Sequence, residues 1–346
     1  MTPDHAPWQS TQKLGVLGTG HAVPGPAVAT ADLVAMMRAR FGFTRGREAS
    51  VIASRMGIEH RHICRPFEAR SEAARASDSN PELAARAVRA ALDQAGLEPA
   101  DLGYLIGHTT TPAQPLPANI ALVADLVRYG GPHLELRQAC TGFANALMIA
   151  CGLVASGGRP VAIVGSETGS LFLDPAELDD DAGQIVNMIQ MGDGAGAIII
   201  GAPVTGRATI SASWYGACGL DRSPGISRRH RVHRFDHDFA AIRLGGKTLF
   251  EAGLATAAGL GIDIAGIDHI IPHQVSGRIG AQLAAHSGLS PERMFVTAGQ
   301  RGNTGSAAIW MALAELRGRL TPGARVVVLG AEASKYMYGG FAYEHG

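Results

Sequence analysis

The sequence has no excess of charge of either sign and no long apolar run. Its 346 residues contain 30 Lys and Arg against 30 Asp and Glu, which excludes long-range electrostatic attraction to nucleic acid or to a membrane surface. No stretch of 18 apolar residues could form a membrane-spanning helix. The N-terminal residues MTPDHAPWQSTQK lack the basic start and apolar centre of a secretory leader. We therefore expect a cytoplasmic protein without nucleic-acid or membrane partners.

Cysteine is scarce and unpaired in pattern. The four cysteines, Cys64, Cys140, Cys151 and Cys218, form no C-x-x-C pair, which argues against a zinc knuckle or a disulfide framework. The segment SRRHRVHRFDHDF carries His230, His233 and His237, but it lies between Gly- and Pro-rich turns without an apolar helical face. We interpret it as a solvated loop rather than a metal site.

No cofactor is predicted either. Gly18 and Gly20 resemble the start of a dinucleotide fingerprint, but Pro24 and Pro26 would break the helix that has to follow. Each cysteine is therefore to be weighed as a small buried residue or as a reactive thiol.

The residues that are abundant indicate an α/β protein. The chain is 46% hydrophobic, and short β-branched runs such as YLIGH, VAIVG and RVVVLG alternate with Ala-rich helical segments. This alternation predicts a mostly parallel sheet covered by helices.

An internal repeat organises the chain. The runs DLGYLIGH, CTGFANA and VAIVGSE recur later as IDHIIPH, NTGSAAI and VVVLGAE. His108 and His273 are 165 residues apart, and so are Glu167 and Glu332; the interval from Cys140 to Asn303 is 163 residues. We predict two similar halves, residues 1–205 and 206–346, in which Cys140 and Asn303 occupy equivalent strand-to-helix joins that face a shared centre.

Cys140 is the candidate nucleophile. A thiol at the first turn of a helix lies near unpaired backbone N–H groups and the positive end of the helix dipole, which favour the thiolate. The following residues, 143–153, are apolar on nearly every face and predict a buried helix. The alternative is a small core residue, and we keep that interpretation for Cys64, Cys151 and Cys218.

Two further residues complement the thiol. His273 directly follows the strand IDHII, at the carboxyl end where open α/β sheets place their sites. Asn303 precedes a helix that it could also cap. A thiol, an imidazole and a neutral amide at matched joins of a repeated unit have complementary roles in acyl chemistry.

The ordered motifs resemble a known family. TTTP, ACTGFANAL, VGSE, GDGAGA, PHQ and GNTGSAA are similar, in this order, to the ketoacyl-ACP synthase III group of thiolase-fold condensing enzymes. The resemblance implies an α/β five-layered αβαβα sandwich made of two similar halves, a homodimer without cofactor, and a catalytic triad of Cys140, His273 and Asn303.

The resemblance also implies a reaction. Cys140 would take an acyl group from a thioester and then pass it to a malonyl thioester that loses carbon dioxide, giving a 3-oxoacyl product. His273 and Asn303 would donate hydrogen bonds to the enolate oxygen. Two alternatives remain open: acyl transfer to an alcohol, amine or other acceptor without decarboxylation, and a non-catalytic partner subunit.

The residues around the triad depart from the family. The tryptophan that clamps CoA is replaced by Val51, while the arginine of the same motif is retained as Arg55. Arg278 matches the family arginine that meets the acyl carrier protein, and Gln274 of PHQ is placed with the substrate contacts. These features favour a carrier-protein donor over acyl-CoA.

Two further positions bear on the tunnel and the cleft. Leu116 matches the position that closes the partner's acyl tunnel across the dimer, or it is an ordinary interface leucine. A family triple-glycine loop is replaced by AEASKYMYGG, so that Lys335 and Tyr336 either enter the cleft or lie on the surface.

Overall fold

The computed structural model describes residues 5–65, 67, 79–228 and 234–346. The strands are β1 (Trp8–Ser10), β2 (Leu14–Ala22), β3 (Val28–Ala29), β4 (His60–Arg61), β5 (Tyr104–His108), β6 (His133–Leu136), β7 (Val161–Glu167), β8 (Gly194–Gly201), β9 (Thr209–Ala217), β10 (Ile226–Arg228), β11 (Phe235–His237), β12 (His269–Pro272), β13 (Arg325–Glu332) and β14 (Met337–Glu344). The α-helices are α1 (Thr30–Phe41), α2 (Gly46–Met56), α3 (Asn80–Ala95), α4 (Asn119–Val127), α5 (Gly142–Ala155), α6 (Ala182–Gln190), α7 (Phe239–Gly259), α8 (Ile279–Ser287), α9 (Ala298–Arg301) and α10 (Ala308–Arg317).

The long strands join in two groups. Their order is β12-β13-β14-β9-β2-β8-β7-β5-β6, and β1 pairs with β9. The two groups are connected only where β2 meets β9, through the pairs Leu14 with Ile210 and Gly15 with Thr209. Hydrogen bonding is therefore continuous through the sheet, although the connection between the groups is narrow.

The two groups repeat one pairing pattern. In the first group β5 runs parallel to β7, and β7–β8 and β8–β2 are antiparallel. In the second group β12 runs parallel to β13, and β13–β14 and β14–β9 are antiparallel. The predicted offset of 165 residues carries Tyr104 at the start of β5 onto His269 at the start of β12. The α/β fold of two similar halves is confirmed.

Strand faces alternate between two helical environments. On β7, Ile163 packs toward α5 and α10, whereas Ala162 packs toward α3 and α4. On β13, Val328 packs toward α5 and α10, whereas Val327 packs toward α7. Because side chains alternate along a strand, α5 and α10 form the central helical layer between two layers of strands, with α3 and α4 outside one and α7 outside the other. These are the five layers of the expected sandwich.

The central layer is closely packed. Phe143 of α5 meets the ring of Trp310 of α10 edge-on, with centroids 5.8 Å apart, and Trp310 stacks on Phe341 of β14 at 5.7 Å. A Cβ on Gly196 of β8 would lie 2.7 Å from the Cβ of Trp310, so glycine there admits the close approach of α10. The burial predicted for the helix after Cys140 is confirmed, since Phe143 and Leu147 are fully enclosed.

The remaining helices cover the outside. Helices α1, α2 and α6 pack together in a separate apolar cluster beside the sandwich. Helix α7 has 21 residues and covers the outer face of the second group of strands. Across the part of the chain that the structure describes, no helix is both long and apolar enough to cross a membrane.

The predicted boundary between the halves falls in a turn. Residues 205 and 206 lie between the end of β8 at Gly201 and the start of β9 at Thr209. The N-terminal strand β1 nevertheless pairs with β9 of the second half, with Trp8 opposite Tyr215. The division into residues 1–205 and 206–346 remains a prediction, from which β1 is a visible departure.

Candidate active site

Cys140 lies at the join that the sequence predicts. Strand β6 ends at Leu136 and α5 begins at Gly142, so the thiol precedes the central helix by two residues. Its side chain is buried but lines a cavity of about 360 Å³. A substrate carbonyl in this cavity can reach the sulfur.

The expectation of a stabilised thiolate is wrong in direction. Burial raises the pKa of the Cys140 thiol well above its usual range, and the neighbouring charges of Glu332 and Glu167 raise it further. The positive end of α5 is already used, because Glu332 accepts hydrogen bonds from the backbone N–H of Thr141 at 3.0 Å and from its hydroxyl at 2.7 Å. The resting nucleophile is therefore a thiol whose proton must leave during attack.

Asn303 lines the same cavity. Its backbone N–H donates to the carbonyl of Gln190 at 2.6 Å, and its own carbonyl accepts from the N–H of Gly192 at 3.1 Å. Its Oδ1 accepts from the N–H of Gly305 at 3.0 Å, so the side chain does make the local turn contact that a capping role predicts. With Oδ1 held in this way, the amide Nδ2 is the group that can donate to a substrate oxygen.

Glu167 supports the turn that follows Asn303. It accepts from the hydroxyl of Ser306 at 2.6 Å, from the N–H of Thr110 at 3.0 Å and from the hydroxyl of Thr111 at 2.5 Å. Burial raises the pKa of this carboxyl despite these bonds. The internal repeat marks both glutamates, which end β7 and β13, but it assigns them no partner.

His273 follows the end of β12. Strand register pairs Pro272 with Leu329, so His273 lies next to Gly330, where an added Cβ would lie 3.3 Å from the carbonyl oxygen of Cys140. Burial lowers the pKa of His273 to about 4, which makes the imidazole neutral at pH 7. Its Nδ1 is enclosed and has no hydrogen-bond partner among the described residues. The cavity lining itself includes Cys140 and Asn303 but not His273.

Gln274 is a bracing residue in this geometry. Its Nε2 donates to the carbonyls of Pro272 at 2.8 Å and Phe295 at 3.1 Å, and its Oε1 accepts from the N–H of Thr297 at 2.8 Å. All three partners are backbone groups and the side chain is buried. The amide ties β12 to the segment before α9, which favours positioning over the substrate contact that the sequence predicted.

The two predicted carrier-contacting arginines lie together on the surface. Arg55 is exposed near the end of α2, and the exposed Arg278 donates its Nε–H to the carbonyl of Ser54 at 3.1 Å. Val51, one turn before Arg55, is 46% exposed. The predicted tunnel residue Leu116 is likewise exposed.

The segment after β13 reaches the cavity through a different residue from those singled out. Ser334 lines the cavity, and its hydroxyl donates to Glu332. Lys335 instead donates to the carbonyl of Arg222 at 2.8 Å, and the guanidinium of Arg222 covers the ring of the buried Tyr336 at 4.7 Å. Neither of these two side chains is part of the lining found among the described residues.

The predicted solvated loop is partly a hairpin. Strands β10 and β11 pair antiparallel, with Ile226 opposite His237, and Phe235 and His237 line the cavity. His230 and His233 lie outside the described residues. The prediction of a loop missed this hairpin because it considered only a helical apolar face, whereas Phe235 packs edge-on against Phe172 at 6.0 Å. Burial lowers the pKa of His237 to about 4, and no metal-binding group of three side chains occurs among the residues described.

Two family models match the chain. The one described as 3-oxoacyl-[acyl-carrier-protein (ACP)] synthase III matches residues 134–219, which include Cys140. The one described as the C-terminal part of 3-oxoacyl-[acyl-carrier-protein (ACP)] synthase III matches residues 257–343, which include His273 and Asn303. Together the matches cover half of the chain.

Individual proteins show the same likeness. The beta-ketoacyl-[acyl-carrier-protein] synthase III of Rhizorhabdus wittichii is 28% identical over 349 residues, which are 95% of this chain and 98% of the relative. The structure of AbyA1, a tetronic acid condensing enzyme, is 26% identical with a TM-score of 0.81 and covers 96% of this chain and 99% of its own. OleA from Xanthomonas campestris has a TM-score of 0.81, with coverage of 98% and 100%, but is 19% identical, so that likeness concerns the fold alone.

Proposed function

The chain belongs to the 3-oxoacyl-ACP synthase III-like condensing enzymes of the thiolase superfamily, and from this we propose that it joins an acyl group to a malonyl thioester through Cys140. The observation that supports this most directly is that Cys140 and Asn303 line one cavity. The neutral His273 at the adjacent strand end supports it further.

The first step is acyl transfer to the enzyme. The sulfur of Cys140 attacks the carbonyl carbon of an acyl thioester, the bond to the donor sulfur breaks, and the donor leaves as a thiol after taking up the proton that Cys140 gives up. Because the thiol pKa is raised by burial, this proton has to move as the carbon–sulfur bond forms. The neutral His273 is the base that we assign to accept it on the way to the leaving group.

The second step forms the carbon–carbon bond. A malonyl thioester loses carbon dioxide, and the electron pair of the broken bond becomes an enolate whose oxygen accepts hydrogen bonds from His273 and from Nδ2 of Asn303. The enolate carbon attacks the acyl-Cys140 carbonyl and expels the cysteine sulfur, which regains a proton. Donors fixed before the reaction stabilise the charge where it develops, and one such donor contributes about 100-fold or more in rate.

Mass spectrometry and carbon dioxide release test the two steps separately. Incubation with acyl thioesters of CoA and of an acyl carrier protein should add one acyl mass, and Cys140→Ala should abolish the adduct. Cys151→Ala is the matched control, because Cys151 lies in the same helix α5 and is buried in the central core. The absence of an adduct from every donor would favour the non-catalytic subunit.

A second candidate keeps the acyl-Cys140 but transfers the acyl group to an alcohol, amine or other small acceptor. The neighbour named as a tetronic acid condensing enzyme favours keeping this candidate. Carbon dioxide released from a malonyl thioester in proportion to product supports condensation. Acyl transfer to an acceptor without carbon dioxide release supports the second candidate.

We also propose that a carrier protein delivers the acyl group. Arg55 and Arg278 are exposed on the α2 surface, and opposite charge at such a surface accelerates association with an acidic partner. Arg55→Glu and Arg278→Glu should raise KM for acyl-carrier substrates at least about tenfold and leave a short N-acetylcysteamine thioester unaffected. Arg207→Glu, in the turn between β8 and β9, is the control, and an equal effect on both donors would contradict carrier docking.

A homodimer accompanies this proposal. Leu116 is 85% exposed in the isolated chain, and a large exposed apolar side chain is stabilised when a partner covers it. Leu116→Asp should weaken dimerisation in sedimentation experiments while secondary structure is retained. A monomeric wild-type protein would contradict the dimer.

A further inference from the structure

We propose that Glu332 and Glu167 are a reciprocal pair of positioning residues, each reaching from a strand of one half to hold the turn that carries a reacting side chain of the other half. The inference rests on the proposed function, because it concerns the same thiol and amide. It goes beyond that function by assigning roles to two carboxylates that touch neither substrate nor reacting atom.

Glu332 grips the Cys140 turn from both sides. One oxygen accepts from the N–H and hydroxyl of Thr141, and the other accepts from the N–H of Ala139 at 3.4 Å. These residues flank Cys140 directly, and the carboxylate is 3% exposed. Charge-assisted hydrogen bonds are roughly twice as strong as neutral ones, so Glu332 fixes the backbone from which the thiol projects.

Glu167 grips the Asn303 turn in the same manner. It binds the hydroxyl of Ser306, three residues after Asn303, and is 5% exposed. A Cβ on Gly305 would lie 2.8 Å from the Cγ of Glu167, so the turn passes directly over the carboxylate. The two glutamates end equivalent strands, and their bonds cross between the halves in opposite directions.

The pair also sets the electrostatic environment of the thiol. Both carboxylates disfavour the thiolate of Cys140. Ionisable groups from every element around the cavity have to be considered together: Glu332 of β13, Glu167 of β7, His108 of β5, His237 of β11, His273 after β12 and Arg137 after β6. Burial keeps the three histidines neutral at pH 7, and Arg137 is paired with Glu135 at 2.7 Å.

Substitution of Glu332 separates its charge from its hydrogen bonds. In Glu332→Gln the amide oxygen can still accept from Thr141, but the negative charge is gone. Iodoacetamide should therefore alkylate Cys140 faster at pH 7, by roughly tenfold for each unit by which the thiol titration moves to lower pH. In Glu332→Ala the turn loses its grip, and we expect kcat to fall about 100-fold with little change in KM, since a small misplacement of a reacting group has this cost.

Substitution of Glu167 should be less well tolerated. The hydroxyl of Thr111 donates to Glu167 while it accepts from the N–H of Thr168 at 2.8 Å. An amide NH2 in Glu167→Gln leaves that hydroxyl without an acceptor, so kcat should fall more than in Glu332→Gln.

The control lies at the other end of β13. Asp268→Asn removes a carboxylate that accepts from the N–H of Arg325 at 2.7 Å, where β13 begins, and should leave both the alkylation profile and kcat unchanged. An alkylation profile of Glu332→Gln that matches the wild type, or full kcat in Glu332→Ala, would overturn the positioning pair. Alkylation needs no substrate, so it decides the inference even when the proposed condensation is not found.

Discussion

The indole N–H of Trp310 donates to Nε2 of His108 at 3.1 Å. His108 ends β5 of the first half at the position equivalent, by the 165-residue repeat, to His273 of the second half. Burial lowers the pKa of His108 to about 3, and a Cβ on Gly142 would lie 2.6 Å from its Nδ1. The first-half histidine is thus enclosed under α5, whereas its counterpart His273 lies at the edge of the site.

The enclosed histidine should be a stability residue. Trp310→Phe keeps an aromatic ring but leaves Nε2 of His108 without its donor, and an unsatisfied buried polar atom costs about 1–3 kcal/mol. We expect the free energy of unfolding, measured in urea, to fall by about 2 kcal/mol while acylation of Cys140 persists. Tyr343→Phe, which removes the acceptor of the Arg317 Nε–H at 2.9 Å in a partly buried position, should have a smaller effect; an unchanged stability of Trp310→Phe would contradict the assignment.

The buried histidines predict a pH dependence of stability. The pKa of His273 and of His237 is lowered from 6.5 to about 4 in the folded protein, so between these values the unfolded state binds more protons. Stability is therefore complete above pH 6.5 and decreases as pH falls toward 4, by about 1.4 kcal/mol per pH unit for each such histidine. Urea unfolding at pH 7, 6 and 5 measures this slope.

A variant identifies the source of that slope. His273→Gln removes one titrating group and should flatten the dependence between pH 6 and 5 by about 1 kcal/mol. The same slope in this variant and in the wild type would show that His273 is not buried in the neutral form.

Asn303 can be tested with two substitutions that differ in one respect. Asn303→Ala removes both amide atoms, whereas Asn303→Asp keeps an oxygen for the N–H of Gly305 but replaces the Nδ2 donor. Both should lower carbon dioxide release from a malonyl thioester by about 100-fold or more, and only Asn303→Ala should also loosen the turn and lower stability. Decarboxylation that persists unchanged in either variant would remove Asn303 from the enolate site.

The sequence predicts much of this arrangement because its information is periodic and local. Equal spacing marks β5 against β12 and β7 against β13, and the apolar run after Cys140 marks a buried central helix. The convergence of Cys140 and Asn303 on one cavity follows from the same spacing. Their roles in catalysis remain predictions.

Other features depend on distant contacts that no local pattern encodes. The protonation of Cys140 depends on Glu332, nearly two hundred residues away in the chain, which takes the N–H groups that would otherwise stabilise a thiolate. The position of Gln274 depends on carbonyls of another segment. The hairpin strand containing Phe235 depends on Phe172 and on two amides from α6 that donate to its carbonyl. In each case the residue type was visible and its partner was not.

The hairpin wall should select the acyl group. Phe235 lines the cavity that contains Cys140, and its ring packs against Phe172 at 6.0 Å. Phe235→Ala keeps the backbone carbonyl that accepts from Gln184 and Asn187 at 3.0 Å, so the strand should persist while the cavity widens. Because each methylene accommodated in an apolar pocket changes kcat/KM by about 10-fold or more, the preference for longer or branched acyl donors should rise at least about tenfold in a donor series. Phe239→Ala is the matched control, since Phe239 stacks on His237 at 5.2 Å from the start of α7 without belonging to the described lining; equal shifts in both variants would mean that the hairpin acts through its stability rather than as the wall of the acyl site.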